Sequence, residues 1–245
     1  MKIQIDEKEI SEAEIEGWEN KRRLKTIKTL KNKFGLNLKN DCSNEELAAA
    51  KRSIPEEKIY SRLGNNIRLS NFVTRMMNGF CHGNRTSSVT EITLPGINAQ
   101  KLQEEYFDIM LNNTEANRLL SLRANPDHYL LKGIENNKQE VIECTGGLNY
   151  QSHFIIEYGN ENGLKSKQNP DYPYQACGVC CLTDGTPIGG VRHQMKDTET
   201  GAKIRLEVEF PSNLPKSVLQ QHQLHLACEF KNWFGEILTR NSKDE

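Results

Sequence analysis

Six histidines stand in this chain, at His82, His128, His153, His193, His222 and His225. Two share one stretch, PKSVLQQHQLHLACEFKNWFGEIL, residues 215–238. Pro215 suits a first helical position, and Leu219, Leu226, Phe230, Trp233 and Ile237 recur at helical spacing. At about 100° per residue these five share one narrow arc, and His222, His225 and Glu229 fall in or beside it. Ionisable groups on the buried face of a helix are costly unless something satisfies them. A divalent cation would do so, because His225 and Glu229 sit one turn apart, where two side chains can reach one ion. For an isolated H-x-x-x-E the commoner outcome is a histidine held by a backbone carbonyl and a solvated glutamate.

The remaining ligands would come from upstream segments. His128 opens the strand-like HYLLKG after an Asn-Pro-Asp turn, and Glu143 stands in QEVIECTGG, where alternation puts it on one face with Val141. Glu157, in SHFIIEYG, is a second acidic candidate. Singly, His128 reads as a surface turn residue and Glu143 as a solvated strand position; the metal reading rests on their convergence. Two imidazoles and two carboxylates suit one catalytic zinc per chain with a position left open for water. Manganese or iron would also accept such donors. His193 stands on a strand before a polar hairpin, either as a general base or hydrogen-bond donor to a reacting oxygen, or as a cross-strand partner on the exposed face.

Other chemistries lack their signatures. Gly189-Gly190 has no following helix and lysine to make a phosphate loop, and there is no G-x-S-x-G. Cys177 and Cys180 have C-x-x-C spacing, but they lie on a predicted strand with no second pair, which argues against a zinc knuckle or a redox pair.

The elements that must position these residues fall into two textures. Residues 1–88 read as a helical extension. Ser11 with Glu14 and Ser43 with Glu46 make capping boxes, Gly35 ends the first helix, and two further helices are expected over 55–64 and 67–80. The basic runs at 21–23 and 31–40 read as solvated faces. Residues 89–245 read as a strand (SSVTEITLPG), a helix (NAQKLQEEYFDIMLNN), about six antiparallel strands and the long closing helix. That order predicts an α+β, START-like helix-grip fold, a curved antiparallel sheet around a long C-terminal helix with a cavity for a small molecule between them.

Basic and acidic residues nearly cancel, at net charge -1, with 36% hydrophobic residues and a mean hydropathy of -0.69. Nothing chain-wide argues for nucleic acid or a membrane surface. No apolar run approaches the ~20 residues of a membrane span. The first residues lack the apolar core of a signal peptide, and the seven cysteines, an odd number, read as thiols, so a cytoplasmic location is expected.

In several of these segments the chain resembles the zinc-dependent diacetylphloroglucinol hydrolase and phloretin hydrolase family, over roughly residues 90–240. LPGINAQKLQEEYF is similar to its proline-glycine turn and aromatic-rich helix, and NPDHYLL to its H-P-x-D-H segment. VIECTGG is similar to its strand glutamate and following glycine, RHQMKDTETGAKIRLEVEF to its H-x-x-R-D-T block, and HLACEFKNWFGEIL to its H-x-x-x-E helix. The resemblance implies His128, Glu143, His225 and Glu229 as zinc ligands and His193 as catalytic. It implies hydrolysis of the carbon–carbon bond between an acyl group and a phloroglucinol-type ring, hence a small aromatic ketone as substrate; a homodimer is left open. The chain departs from the pattern at Glu104-Glu105, where paired tryptophans are expected, and at Asn125, where a histidine is expected. The rival expectation is a START-like carrier of an apolar ligand without turnover.

Overall fold

The computed structural model describes residues 1–242. Ser11 and Ser43 each accept from the amide three residues on, and Glu14 and Glu46 return the bond, so α1 (Glu12–Phe34) and α2 (Asn44–Arg52) start at the expected caps. Gly35, at φ 73°, ends α1 in the left-handed conformation that glycine adopts without strain. α3 (Glu56–Phe80) is one helix where two were expected. Gly64 costs its interior only about 1 kcal/mol relative to alanine, and the stripe of Ile59, Leu63 and Ile67 buried on either side of it holds the helix together.

Two short strands, β1 (Lys2–Ile5) and β2 (Lys8–Glu9), precede α1. After α3 come β3 (Arg85–Pro95), α4 (Ala99–Leu111) and α5 (Glu115–Ala124). Then follow β4 (His128–Ile134), β5 (Lys138–Glu143), a 3-10 turn (Thr145–Gly147), β6 (Ser152–Tyr158), β7 (Tyr174–Leu182), β8 (Pro187–Thr198) and β9 (Gly201–Pro211). The chain closes on α6 (Lys216–Asn241). The strands form one antiparallel sheet in the order β2-β1-β3-β9-β8-β7-β6-β5-β4. Register slips at His128/Leu130 and at Cys180/Cys181 bend it. The expected helix-grip arrangement is the one adopted.

α6 packs into the concave face through Leu226, Phe230, Trp233, Phe234 and Ile237, against Ile92, Ile204 and Leu206 of β3 and β9 and Tyr106 of α4. A second apolar cluster lies behind β4 and β5. There Tyr129, Leu130, Ile142 and Cys144 meet Ile27 and Leu30 of α1, Leu47 of α2 and Ile59, Leu63 and Ile67 of α3. The N-terminal helices thus cover the sheet's outer face at the end that carries His128 and Glu143, and β1 extends the sheet beside β3. No described helix is long and apolar enough to cross a membrane. All seven cysteines are free, and six are buried.

Candidate metal centre

The register slip after His128 decides which way its ring points. Tyr129 and Leu130 both join the outer cluster, while Leu131 joins the inner one, so the strand begins with His128 turned to the concave side. Glu143 is paired with it across the ladder. His225 and Glu229 come from α6 one turn apart. All four are buried. Facing ligand atoms of His128, Glu143 and His225 lie within 4.8 Å of one another. Glu229 Oε2 lies 3.0 Å from His128 Nε2 and 3.3 Å from His225 Nε2. Glu143 Oε2 lies 3.7 and 3.8 Å from the same two nitrogens. Donors bound at about 2.0–2.1 Å to one tetrahedral ion stand about 3.4 Å apart, a figure these separations bracket.

Hydrogen bonding fixes which atoms of the cluster face one another. His128 Nδ1 lies 2.7 Å from the Ser121 carbonyl, which can only accept, so Nδ1 carries the proton. In the neutral ring Nε2 is then a bare lone pair facing a carboxylate oxygen. Only a proton or a metal ion between them makes that contact favourable. Thr145 Oγ1 donates to Glu143 Oε1 at 3.3 Å, leaving Oε2 toward the imidazoles. His225 Nδ1 has no hydrogen-bond partner among the described residues and faces Asp127 Oδ2 at 3.8 Å. A carbonyl behind one imidazole and a carboxylate behind the other is the outer shell that metal-binding histidines have. Burial alone would hold the His225 pKa down, but Glu143, Glu229 and Asp127 hold it well above the usual imidazole range. Burial raises the Glu143 carboxyl, whereas His225 and His128 overcome burial at Glu229 and lower it. Without a cation, a proton on His225 offsets the buried charge of Glu229.

The centre forms part of the wall of a cavity of about 400 Å³, otherwise largely apolar, lined by side chains such as Leu131, Val141, Ile156, Val191 and Phe230. His193 is buried in the same wall, edge-on to Phe230 with ring centroids 5.1 Å apart. Its Nδ1 has no hydrogen-bond partner among the described residues, and burial pulls its pKa down to about 4. It does not stand on an exposed face, the other reading left open by the sequence. His222 donates to or accepts from Ser88 Oγ at 3.0 Å and stacks on His225, and burial pulls its pKa down to about 3. Tyr106, Tyr158 and Gln139 add a polar chain to the cavity wall, with Tyr158 donating to Gln139 Oε1 at 3.1 Å and sharing a 3.1 Å bond with Tyr106. Glu157, the alternative strand carboxylate, instead pairs with Lys138 at 3.6 Å on the outside. Of the departures from the resembled pattern, Glu104 is exposed, whereas Asn125 is buried and donates to the His225 carbonyl at 3.3 Å.

The supports behind these four side chains come largely from residues that spacing did not single out. Arg22 lies in the basic run read as a solvated face, yet it is buried. Its Nε donates to both oxygens of Asp127 at 2.9 and 2.8 Å, and its other nitrogens donate at 2.6 Å to the carbonyls of Gly147 and Leu148. α1 lies against the centre, so its buried side meets carbonyls and a carboxylate rather than water. Trp18, also on α1, sets its ring edge-on to His225 and donates to Gln221 Oε1 at 2.9 Å. Lys51 of α2 is wholly buried and donates to the carbonyls of Leu122 and Asn125 at 2.7 and 3.2 Å, closing the end of α5 just before His128. Asp127 beside His128 was the available signal, but its partner is 105 residues away.

No protein-family model matches the chain, and no curated protein matches it. Among solved structures it is similar to Ara h 8.0201, at 16% identity and a TM-score of 0.42, over 64% of this chain and 99% of that one. It is similar to protein Ms6760 from Mycobacterium smegmatis at 10% identity and a TM-score of 0.39, over 64% of this chain and 93% of that one. A third, a putative uncharacterized protein from Rhizobium leguminosarum, has 13% identity and a TM-score of 0.32, over 61% of this chain and 95% of that one.

Proposed function

We propose that the protein is a divalent-metal-dependent hydrolase that cleaves the carbon–carbon bond beside the carbonyl of a small aromatic ketone. The observation that carries this reading is the His128 ring. Its Nδ1 proton is committed to a carbonyl while its Nε2 faces Glu229 and Glu143, a contact that needs a proton or a cation between them, and the convergence of four donors there supports the cation. His128, Glu143, His225 and Glu229 would hold one zinc, and manganese or iron fits the same donors. Bound there, the ion would act as a Lewis acid toward the ketone oxygen and lower the pKa of water.

The rest is the work of the chain. The apolar wall takes the aromatic ring and keeps bulk water from it. Hydrolysis adds the oxygen of water to the acyl carbon, breaks the acyl–aryl bond and leaves a ring carbon that must be protonated. His193 is neutral at pH 7, so its imidazole can take a proton from one of these groups and return it to the ring. Tyr106 and Tyr158 offer hydroxyls to substituents on that ring.

Elemental analysis of protein purified without chelator tests the reading. About one metal ion per chain is expected, lost in His225→Ala and kept in His193→Ala, with release of a carboxylic acid from acylated phenols by the wild type alone. The size and apolar character of the cavity favour a second reading, a carrier of an apolar ligand without turnover. Protein free of metal that binds an aromatic ketone, with binding unchanged in His225→Ala, would establish the carrier and remove the hydrolase.

A further inference from the structure

α3 changes character along its length. Its first half buries Ile59, Leu63 and Ile67, but its second half leaves Leu69, Phe72, Val73, Met76 and Phe80 exposed, Phe72 to 57% and Phe80 to 70%. At about 100° per residue these five share one side of the helix. Leu69 and Val73 also line the cavity, as do Leu148 and Tyr150, both exposed, so the patch rims the cavity mouth. An apolar surface of this extent, continuous with an apolar cavity, marks a contact site.

Charge says what it contacts. The three segments around the mouth, residues 68–80, 145–151 and 212–218, contain Arg68, Arg75 and Lys216 and no aspartate or glutamate. Asp184, in the β7–β8 turn, is paired with Arg75 at 2.6 Å, which leaves the other bases in excess. A chain of net charge -1 thus carries a cationic end around its apolar patch. A second copy docked there about a two-fold axis would set the same bases against themselves. An anionic bilayer answers both features, because apolar side chains enter the headgroup boundary while arginine and lysine lie over phosphates.

We propose that this end of the molecule is a membrane-docking surface. The C-terminal half of α3 rests Phe72, Met76 and Phe80 in the interface of an anionic bilayer, and the cavity mouth then opens toward lipid, from which an apolar ligand enters without crossing water. The test is co-sedimentation of the full chain with vesicles of phosphatidylcholine alone or with about a third phosphatidylserine. Binding is expected to the anionic vesicles only and to weaken with salt. Phe72→Ser with Phe80→Ser, and separately Arg68→Glu with Lys216→Glu, should each lower the bound fraction about tenfold while far-UV circular dichroism stays unchanged. All four side chains are exposed, and the charge pair serves if the apolar pair perturbs folding. Absence of binding, equal binding to neutral vesicles, or binding that both pairs leave intact overturns the proposal. So does a dimer in sedimentation velocity that Phe72→Ser with Phe80→Ser dissolves in protein that ignores vesicles. The readout needs neither metal nor turnover, so it stands or falls apart from the hydrolase.

Discussion

Arg22 shows how a single side chain can set a site from behind. It neutralises the buried Asp127, and Asp127 in turn faces the free nitrogen of His225. Removing one member of a buried ion pair strands the other, at a cost of about 3–5 kcal/mol. Arg22→Met should therefore lower the free energy of unfolding by about that much, read from urea denaturation, and should weaken metal retention more than the distance from Arg22 to the ligands suggests. Lys51 predicts a pH dependence. Burial holds its ammonium down to about 7 from the usual 10.5. Between those values the unfolded chain keeps a proton that the folded one has released, so unfolding takes up a proton and stability rises with pH. Below about 7 both states are charged, and the full burial penalty applies. Stability of the wild type relative to Lys51→Met should accordingly climb from pH 7 to 10 at a slope on the order of 1 kcal/mol per pH unit. A difference that stays flat across that window would mean that the carbonyls around Lys51 keep it charged.

At the scale of elements, α6 was legible because one period repeats over its 26 residues, and the six strands from β4 to β9 because short apolar runs are set off by separators rich in Gly, Asn, Asp and Pro. In α6 the period also carried His225 and Glu229 to the buried side. α5, β1 and β2 were not legible. α5 has only ten residues and opens on Thr114-Glu115 with no apolar stripe, and β1 and β2 owe their pairing to β3, far along the chain. The strand glutamate was left open between Glu143 and Glu157, since alternation fixes a face only relative to neighbours. The closing contact is the 3-10 turn after Glu143. Gly146, at φ 58°, leaves a Cβ only 2.9 Å from Val218 Cγ1 and 3.0 Å from the Val218 carbonyl of α6. Gly146→Ala combines a strained φ with that clash, so a loss of about 1–3 kcal/mol is expected. Because the turn also holds Thr145 against Glu143, thermal denaturation and metal content should fall together in this variant, whereas a purely local strain would lower the melting temperature alone.

At the scale of the whole molecule, the helix-grip core was legible as an order of elements, but its dependence on residues 1–88 was not. Composition made those residues an added helical layer, because capping boxes and charged faces say where a helix starts and not what it covers. In the folded chain they complete two structures at once. Ile3, Ile15 and Trp18 belong to the main core, and Ile27, Leu30, Leu47, Ile59, Leu63 and Ile67 cover Tyr129, Leu130 and Ile142 behind the strands that carry His128 and Glu143. A chain beginning at residue 89 would expose that apolar face, cut into β3 and leave Asp127 buried with no cation beside it. Together these losses are comparable to the roughly 5–15 kcal/mol by which domains are stable. Such a chain is expected to aggregate or to melt without a cooperative transition, and to bind no metal. A chain beginning at residue 11 loses the β1–β2 hairpin, with Ile3 from the edge of the core and the Asp6 bond to Gln223, but keeps the Ser11 cap, Trp18 and Arg22, so it should fold cooperatively and bind metal with the full-length stoichiometry. Circular dichroism melts and elemental analysis of the two chains decide the point. Cooperative folding and full metal content in the shorter one would mean that α1 to α3 are an appendage and that Arg22 is dispensable to the centre it braces.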